Sequence, residues 1–329
     1  MRMRPRPDSS PLRAALAYGQ ALVLGVAFFV AIRPLPVATA SAQVAELGLT
    51  LDTTTAEAAV ETARTAPLAH SLLWKITRPD IAHASYLYGT VHIIPVSRFK
   101  VPGRLLEALE QTDRIVFEFN MGDEDFSLNA GREMRLEPGT TLPDLYSDEQ
   151  FGALAARVQE DYGFDLALVG TMKPFYLIPL LGRNLIGEPV TSYERYLFDY
   201  ANEHGVAIGG LEDVQRQFAV VNAIPLAEQA DMLAELIEEP DEAKAMFRNM
   251  YDAYDEQDLA RIHTFFLESP EMKKYHDLLL VNRNHAWIPA IAKHHEEGRS
   301  FIACGAGHFA GEDGLIRLLR DAGFTVVPE

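Results

Sequence analysis

Cysteine is nearly absent from this chain of 329 residues, in which Cys304 stands alone. A single cysteine excludes a disulfide within the chain. Cys304 lies in an apolar strand pattern, which predicts a buried and unreactive thiol rather than a catalytic nucleophile. Because no cysteine lies near the end of the N-terminal apolar run, a lipoprotein anchor is excluded as well.

Several motifs of well-known enzyme classes are also missing. The sequence contains no GxSxG elbow, no Walker-type loop and no HExxH pair. The run Gly305-Ala306-Gly307 lacks the third glycine of a dinucleotide-binding loop. Low-complexity tracts are absent too, and the shares of apolar (48%) and charged (23%) residues are those of an ordinary globular protein.

Positive charge is scarce outside the N-terminus. The formal net charge is −18, but residues 1–42 carry five arginines and one aspartate, so the remainder carries −22. The acidic part of the chain after residue 42 repels phosphate backbones and anionic lipid surfaces. Nucleic acid is therefore not an expected partner, and any contact with a membrane is expected only through the N-terminal segment.

The N-terminus has the order of a secretory signal peptide. A basic start leads into an apolar run from Ala14 to Ile32, and a small-residue site, Ala40-Ser41-Ala42, follows. We predict a signal peptide over residues 1–42, a leader segment over 43–70 and a periplasmic or secreted protein. The length of the apolar run leaves open an uncleaved anchor, with the protein held at the inner membrane and facing the periplasm.

The rest of the chain alternates strand and helix patterns at its two ends. Strands are predicted at residues 85–88, 114–119, 300–304 and 324–327, whereas residues 147–265 are mostly helical. This arrangement predicts an α/β fold. Its sheet would be composite, built from N- and C-terminal strand–GxxH units with a largely helical insertion between them.

The two GxxH units carry the first candidate site residues. His92 and His308 each follow a strand directly, three residues after Gly89 and Gly305 respectively. Residues just beyond strand ends line the ligand crevice of open α/β sheets, and glycine there permits a close backbone approach. The two imidazoles are candidates to share a metal ion. The alternative is a pair of turn histidines with purely structural hydrogen bonds.

Glu118 is the carboxylate candidate, because it stands inside the apolar strand of residues 114–119. A buried carboxylate is costly unless it is paired or bound to metal. Glu118 could therefore complete a two-histidine, one-carboxylate site or act as a general base. The alternative is a strand-end residue exposed by alternation.

Arg283 shares its helical face with Leu279, Leu280 and Trp287, which should point to the core. An arginine there needs a partner such as Glu118, a substrate carboxylate or a developing oxyanion. The alternative is a side chain that stacks on Trp287 and reaches solvent. The remaining histidines show no ligand pattern: His285, His294 and His295 are predicted to be solvated, and His83, His263 and His276 to be bystanders.

These residues lie in motifs that resemble the TraB/PrgY/GumN family, which is Tiki-like. Its opening signature resembles LWKI at residues 73–76 and SYLYGTVH at 85–92, and its closing signature resembles FIACGAGHFAGEDGL at 301–315. Weaker family positions match Met172-Lys173-Pro174, Gly210-Leu211-Glu212 and Arg283-Asn284. The resemblance runs from Leu72 to Val327 and implies one domain over residues 71–329.

The resemblance implies a Tiki-like fold akin to the ChaN and erythromycin esterase group, and metal-dependent cleavage of a peptide or protein substrate with manganese or cobalt. His92 and His308 would ligate or flank the metal, Glu118 would ligate it or act as base, and Arg283 would stabilise an oxyanion. Gly89, Gly305 and Glu212 would support them; for Glu212 the alternative is a capping role at the end of a strand. The alternative is a non-catalytic periplasmic protein of this family that binds a metal or ligand and serves regulation.

Overall fold

The computed structural model describes residues 68–123, 126–268 and 273–329. The predicted signal peptide over residues 1–42 lies outside these ranges, as does all but the last three residues of the predicted leader. Within the described ranges, no helix is both long enough and apolar enough to cross a membrane.

A six-stranded sheet with helices around it forms the fold, so the predicted α/β class is confirmed. Its strands are β1 (Leu73–Arg78), β2 (Ile81–Thr90), β4 (Arg114–Phe119), β6 (Ala207–Glu212), β7 (Ser300–Gly305) and β8 (Thr325–Pro328). Two short strands, β3 (Ile94–Pro95) and β5 (Val190–Thr191), pair separately. The order in the large sheet is β6-β4-β7-β2-β1-β8.

Four strands of this sheet run parallel, namely β6, β4, β7 and β2, while β1 is antiparallel to both of its neighbours. Strands β2 and β7 come from opposite ends of the described chain yet lie side by side, with Gly89 opposite Cys304 and Thr90 opposite Gly305. Every residue of β7 is buried, as expected for a parallel strand covered on both faces. The carboxyl ends of the four parallel strands therefore meet at one edge.

Helices cover the sheet and fill the middle of the chain. They are α1 (Gly103–Glu110), α2 (Phe126–Glu133), α3 (Asp148–Tyr162), α4 (Ile178–Leu185), α5 (Tyr193–His204), α6 (Val214–Asn222), α7 (Leu226–Glu238), α8 (Pro240–Asp255), α9 (Leu259–Glu268), α10 (Asn282–Glu297) and α11 (Leu315–Asp321). Short 3₁₀ turns lie at Leu142–Leu145, Leu166–Val169, Pro174–Leu177 and Ala306–His308. The mostly helical middle predicted for residues 147–265 matches this series.

The sequence predicts a helix over residues 194–204 that stops at Gly205, and α5 confirms it. The Ser192 hydroxyl accepts the backbone N–H of Arg195 at the start of the helix. Gly205 ends it with φ of +66°, a conformation that glycine adopts without steric cost. This cap also fixes the first turn of α5, which carries Glu194 into the interior, where only 3% of its surface is exposed.

The sequence pattern of residues 271–297 predicts one long helix, and the structure has a more complex form there. Residues 269–272 lie outside the description, and a π-helical turn spans Asp277–Val281 before α10 begins. Pro289 lies within α10. A π-turn adds one residue to a helical turn and is often found at functional sites. The π-turn ends directly before α10, and α10 buries Arg283 together with Trp287.

Cys304 is completely buried in β7. Burial raises the pKa of its thiol well above the ordinary value, so the thiol stays protonated and unreactive, as predicted.

Candidate active site

The common edge of the parallel strands collects the predicted site residues. His92 follows β2, Glu118 lies at the penultimate position of β4, and Glu212 ends β6. Arg283 reaches this edge from α10, and His308 follows β7 in a 3₁₀ turn. The fold thus brings all of them together, at the end of the sheet where open α/β proteins bind their ligands.

Glu118 is buried, with 4% of its surface exposed, and both carboxylate oxygens accept hydrogen bonds. Its Oε2 accepts from Arg283 Nη2 at 2.6 Å and from Gln217 Nε2 at 3.0 Å, and its Oε1 accepts the Gly305 N–H at 2.9 Å. Burial alone would raise the pKa of Glu118, but the nearby positive charge, above all that of Arg283, lowers it to about 2. Glu118 is therefore an ionised carboxylate at neutral pH.

The predicted supporting glycines are needed for close contact and not for unusual dihedral angles. A Cβ atom on Gly305 would lie 3.3 Å from His92 Nε2 and 3.5 Å from Glu118 Oε1. A Cβ on Gly89 would lie 3.1 Å from the Cβ of Ala306. Each glycine therefore lets a strand end pass close to its neighbours, as the GxxH pattern suggested.

His92 is oriented by a residue that the sequence analysis did not identify. Its Nδ1 lies 2.7 Å from Oε1 of Glu194, and the Thr90 hydroxyl donates to that same oxygen. The second oxygen of Glu194 is buried without a hydrogen-bond partner among the described residues. Burial would lower the pKa of His92, but the charge and hydrogen bond of Glu194 outweigh it, so the net effect raises that pKa. Nδ1 of His92 therefore carries the hydrogen, and Nε2 faces the site.

His308 is oriented by Asn284. The Asn284 Nδ2 donates to the backbone carbonyls of His308 at 3.1 Å and Asp313 at 2.7 Å, which leaves its Oδ1 facing His308 Nδ1 at 2.6 Å. An amide oxygen only accepts, so this network assigns the hydrogen to Nδ1 and a lone pair to Nε2, which Arg283 Nη1 approaches at 3.4 Å. Burial lowers the pKa of His308 to about 3, so the ring is neutral at neutral pH.

The two Nε2 atoms converge on one carboxylate oxygen. Nε2 of His92 lies 4.0 Å and Nε2 of His308 lies 3.9 Å from Oε1 of Glu118. Two ligand atoms bound at about 2.1 Å to one ion are about 3.4 Å apart in tetrahedral geometry and at most about 4.2 Å apart. These donors are of the types that metal ions take, but their separations of 3.9 and 4.0 Å are wider than tetrahedral spacing.

No ready-made metal cage is present, however. Across residues 68–123, 126–268 and 273–329, no group of three or more histidine, cysteine, aspartate or glutamate side chains could hold a metal ion as it stands. An ion at His92, His308 and Glu118 would have to draw the three side chains closer together. These residues are therefore a candidate ligand set that contracts on binding.

Arg283 is buried, with 5% of its surface exposed, and is held by two carboxylates. Besides Glu118, it contacts Oε1 of Glu212 through Nε at 3.0 Å and Nη2 at 2.7 Å. Its guanidinium lies over the Trp287 ring at 4.5 Å, and its Nη1 approaches Nε2 of His308 at 3.4 Å. Burial would lower the pKa of Arg283, but Glu118 and Glu212 outweigh it and raise that pKa. The side chain is an anchored cation and does not reach solvent along Trp287.

Glu212 belongs to this network and does not merely cap a strand. Its side chain is 3% exposed, and its Oε2 accepts the indole N–H of Trp287 at 3.1 Å. Arg216 approaches the same oxygen from the surface at 3.6 Å. Glu212 thus fixes both Arg283 and the aromatic ring beneath it.

The prediction for one histidine of α10 was wrong. His295 is fully buried, and its Nδ1 lies 2.8 Å from the hydroxyl of Ser85 in β2. Its position lies on the face of α10 that covers the sheet, where burial lowers the pKa of the ring. His294 is half-buried against the Gly210 carbonyl, at 3.2 Å. Of the three, only His285 is mostly exposed, and it pairs with Asp313.

Three residues that complete the site were missed by the sequence analysis: Glu194, Gln217 and Asn284. Gln217 gave a signal, since it is a polar residue on the buried face of α6 between Val214 and Phe218. Asn284 stood in a matched motif, without an assigned role. Glu194 looked like an ordinary acidic residue in a first helical turn, and no local pattern connects it with His92.

The sequence model described as the TraB/PrgY/gumN family matches residues 72–328. No curated protein and no solved structure matches the chain. The matched range contains every residue of the candidate site.

Proposed function

This chain belongs to the TraB/PrgY/gumN family, and from that premise we propose that it is an exported, metal-dependent hydrolase that cleaves peptide bonds. The observation that carries the proposal is the convergence of two imidazole nitrogens on one ionised carboxylate. Nε2 of His92 and Nε2 of His308 both face Oε1 of Glu118, at 4.0 and 3.9 Å.

The residues behind the histidines support a metal site. Metal-bound histidines commonly donate their other ring N–H to a carboxylate or a carbonyl oxygen, which fixes the tautomer. Glu194 supplies a carboxylate to Nδ1 of His92, and Asn284 supplies a carbonyl oxygen to Nδ1 of His308. Both rings are thus arranged so that Nε2 is the metal-binding atom.

The balance of buried charge also favours a cation here. Glu118, Glu194 and Glu212 all have side chains less than 6% exposed, whereas Arg283 is the one buried guanidinium that contacts this group in the described ranges. Arg216 contributes from the surface at 3.6 Å from Glu212. Buried charges need compensation, and a divalent ion between the histidines would supply it.

A divalent metal bound there would polarise a carbonyl group and lower the pKa of a water molecule. Glu118 suits the role of ligand better than that of base, because a carboxylate with a pKa of about 2 holds a proton poorly at neutral pH. His92 has a raised pKa, so a proton competes with the metal for its Nε2 and is released on binding. Arg283 directs Nη1 toward His308 and would stabilise negative charge that develops beside it.

Export, manganese or cobalt as the metal and a peptide or protein as the substrate are part of this proposal. They rest on the signal-like residues 1–42 and on the family resemblance, with an inner-membrane anchor facing the periplasm as the alternative location. The acidic body of the chain accords with cation binding and with the expectation that nucleic acid is not a partner.

A second candidate function is a non-catalytic protein that binds a metal or ligand for regulation. The burial of the site favours it, because His92, Glu118, Arg283 and His308 are each no more than 6% exposed. A peptidase must admit an extended chain to its reacting atoms, whereas a binding protein needs only a cage. The hydrolase therefore requires an opening movement at this edge of the sheet.

The test is metal content and peptidase activity of the purified, exported protein, with and without manganese. His92→Ala and His308→Ala are compared with His204→Ala, a histidine hydrogen-bonded only to its own helix and exposed to solvent. We expect manganese-dependent cleavage that both site variants lose and the control keeps. Metal binding without cleavage of any peptide in a broad library would support the regulatory alternative. A folded protein that binds no metal would refute both metal-based functions.

A further inference from the structure

A second pair of histidines lies outside the candidate active site. His263 on α9 and His276, just before the π-turn, have ring centroids 5.6 Å apart and ring planes at 74°. Both line a cavity of about 340 Å³. None of His92, Glu118, Arg283 and His308 lines this cavity, which touches the candidate active site through Asn284.

Each of the two rings has a buried nitrogen without a hydrogen-bond partner in the described part of the chain. These atoms are Nδ1 of His263 and Nε2 of His276. A buried polar atom left unpaired costs free energy and calls for an explanation such as a bound ion. Two such atoms on neighbouring imidazoles, in two residues that line one cavity, point to a ligand shared by both.

The separation of the rings fits a shared metal ion. A metal bound to a ring nitrogen at about 2.1 Å lies about 3.2 Å from the ring centroid, so two rings at tetrahedral to trigonal angles have centroids about 5.2 to 5.6 Å apart. The observed separation is 5.6 Å.

The charge around the cavity selects a cation. Glu312 and Asp313 lie on its wall, and Glu312 is 91% exposed on its side chain, so its carboxylate can move toward an ion. Glu312 is otherwise only loosely paired, with Arg317 at 3.6 Å. Imidazole ligands favour transition metals over calcium or magnesium, which prefer oxygen. Burial lowers the pKa of His263, which keeps the ring neutral and able to bind metal.

We propose that His263 and His276 form a second metal site, which binds a transition metal ion such as Zn²⁺ through two imidazoles. Water or the Glu312 carboxylate would fill the remaining positions, since among the described residues no third ligand stands in place. The site does not depend on the proposed hydrolase function. It adjoins the active site through Asn284, which lines the cavity and holds His308.

The two sites can be separated by counting bound metal. Zn²⁺ is titrated into the purified protein by calorimetry, and Co²⁺ absorption in the visible range reports nitrogen coordination. The variants are His263→Asn and His276→Asn, with His204→Asn as matched control and His92→Ala to remove the first site. Thermal unfolding of each variant establishes that it is folded. His276 is the safer variant, because its side chain is partly exposed, at 19%.

We expect the wild-type protein to bind one equivalent of Zn²⁺ at this site. The affinity for that equivalent should fall at least about tenfold in His263→Asn and in His276→Asn, because each variant loses one of two nitrogen ligands. The same equivalent should persist in His204→Asn and in His92→Ala. Unchanged stoichiometry and affinity in a folded His276→Asn variant would overturn the proposal. Loss of all binding in His92→Ala alone would also overturn it, while leaving the proposed active site intact.

Discussion

Replacing Glu118 by glutamine tests whether the buried ion pair holds the site together. The substitution keeps the shape of the side chain and removes its charge. If the amide oxygen retains the hydrogen bond from Gly305, the amide nitrogen must face Arg283 and Gln217, which are both donors. The hydrogen bonds from Arg283 and Gln217 are then lost, and the new amide nitrogen faces these two donors without an acceptor between them.

The loss of unfolding free energy in Glu118→Gln depends on the contacts that Arg283 retains. Removing one partner of a buried ion pair destabilises a protein by about 3 to 5 kcal/mol, because the remaining charge is stranded. Arg283 retains two contacts with Glu212, at 2.7 and 3.0 Å, so it is not fully stranded. We therefore expect a loss near the lower end, about 3 kcal/mol, which is a large share of the stability of a typical domain.

Urea unfolding at neutral pH, followed by circular dichroism, measures this loss. The matched control is Glu228→Gln, because Glu228 pairs with Lys274 at the same 2.6 Å on the surface. That variant should unfold at nearly the wild-type urea concentration, since solvent already screens the pair. The double variant Glu118→Gln/Arg283→Gln should cost less than the sum of the two single variants.

A loss below about 1 kcal/mol in Glu118→Gln would refute this reasoning, since it would place the pair in the range of a surface ion pair. Strict additivity in the double variant would refute it as well. Either result would mean that Glu118 and Arg283 are not energetically coupled.

Three further predictions concern the histidines and the glycine between them. In Glu194→Gln the pKa of His92 should fall, because the carboxylate that raises it is gone; a histidine NMR titration with an unchanged pKa would contradict this. His308 takes up a proton near pH 6.5 when unfolded but only near pH 3 when folded, so stability should be lost as the pH falls through this window, by up to about 5 kcal/mol. Urea unfolding at several pH values should therefore show a shallower dependence in His308→Gln, and equal slopes would count against the assignment. Gly305→Ala should weaken manganese binding at least about tenfold, because its Cβ would lie 3.3 Å from His92 Nε2; equilibrium dialysis with unaltered affinity would exclude that role.

Much of the fold was readable because it depends on local patterns. The strand predicted at residues 114–119 agrees with β4, and α5 ends at Gly205 as predicted. The long helix predicted over residues 271–297 was less accurate, because a π-turn gives no periodic signal that differs from an α-helix over so few residues. His295 was placed on the wrong side although it follows Trp287 and Ile291 at intervals of four residues, the spacing of one helical face.

The candidate site was only partly readable. His92, Glu118, Arg283 and His308 were identified from single features of sequence: a glycine three residues earlier, or a charge within an apolar stretch. Glu194 was not assigned a role because it contacts a histidine that is distant in the chain. Asn284 was not assigned one because only packing decides that its amide oxygen faces His308.

The sequence by itself determined the α/β class, the buried thiol of Cys304 and the side chains at strand ends, because these depend on period, burial and composition over a few residues. Only the tertiary structure decided that β2 and β7 are parallel neighbours and that four strand ends meet at one edge. Only there do Glu118 and Arg283 pair at 2.6 Å and the two Nε2 atoms face the same oxygen. The physical reason is that such contacts join residues from different elements of the fold, and pairing between strands, unlike helix periodicity, leaves no trace in the order of neighbouring residues.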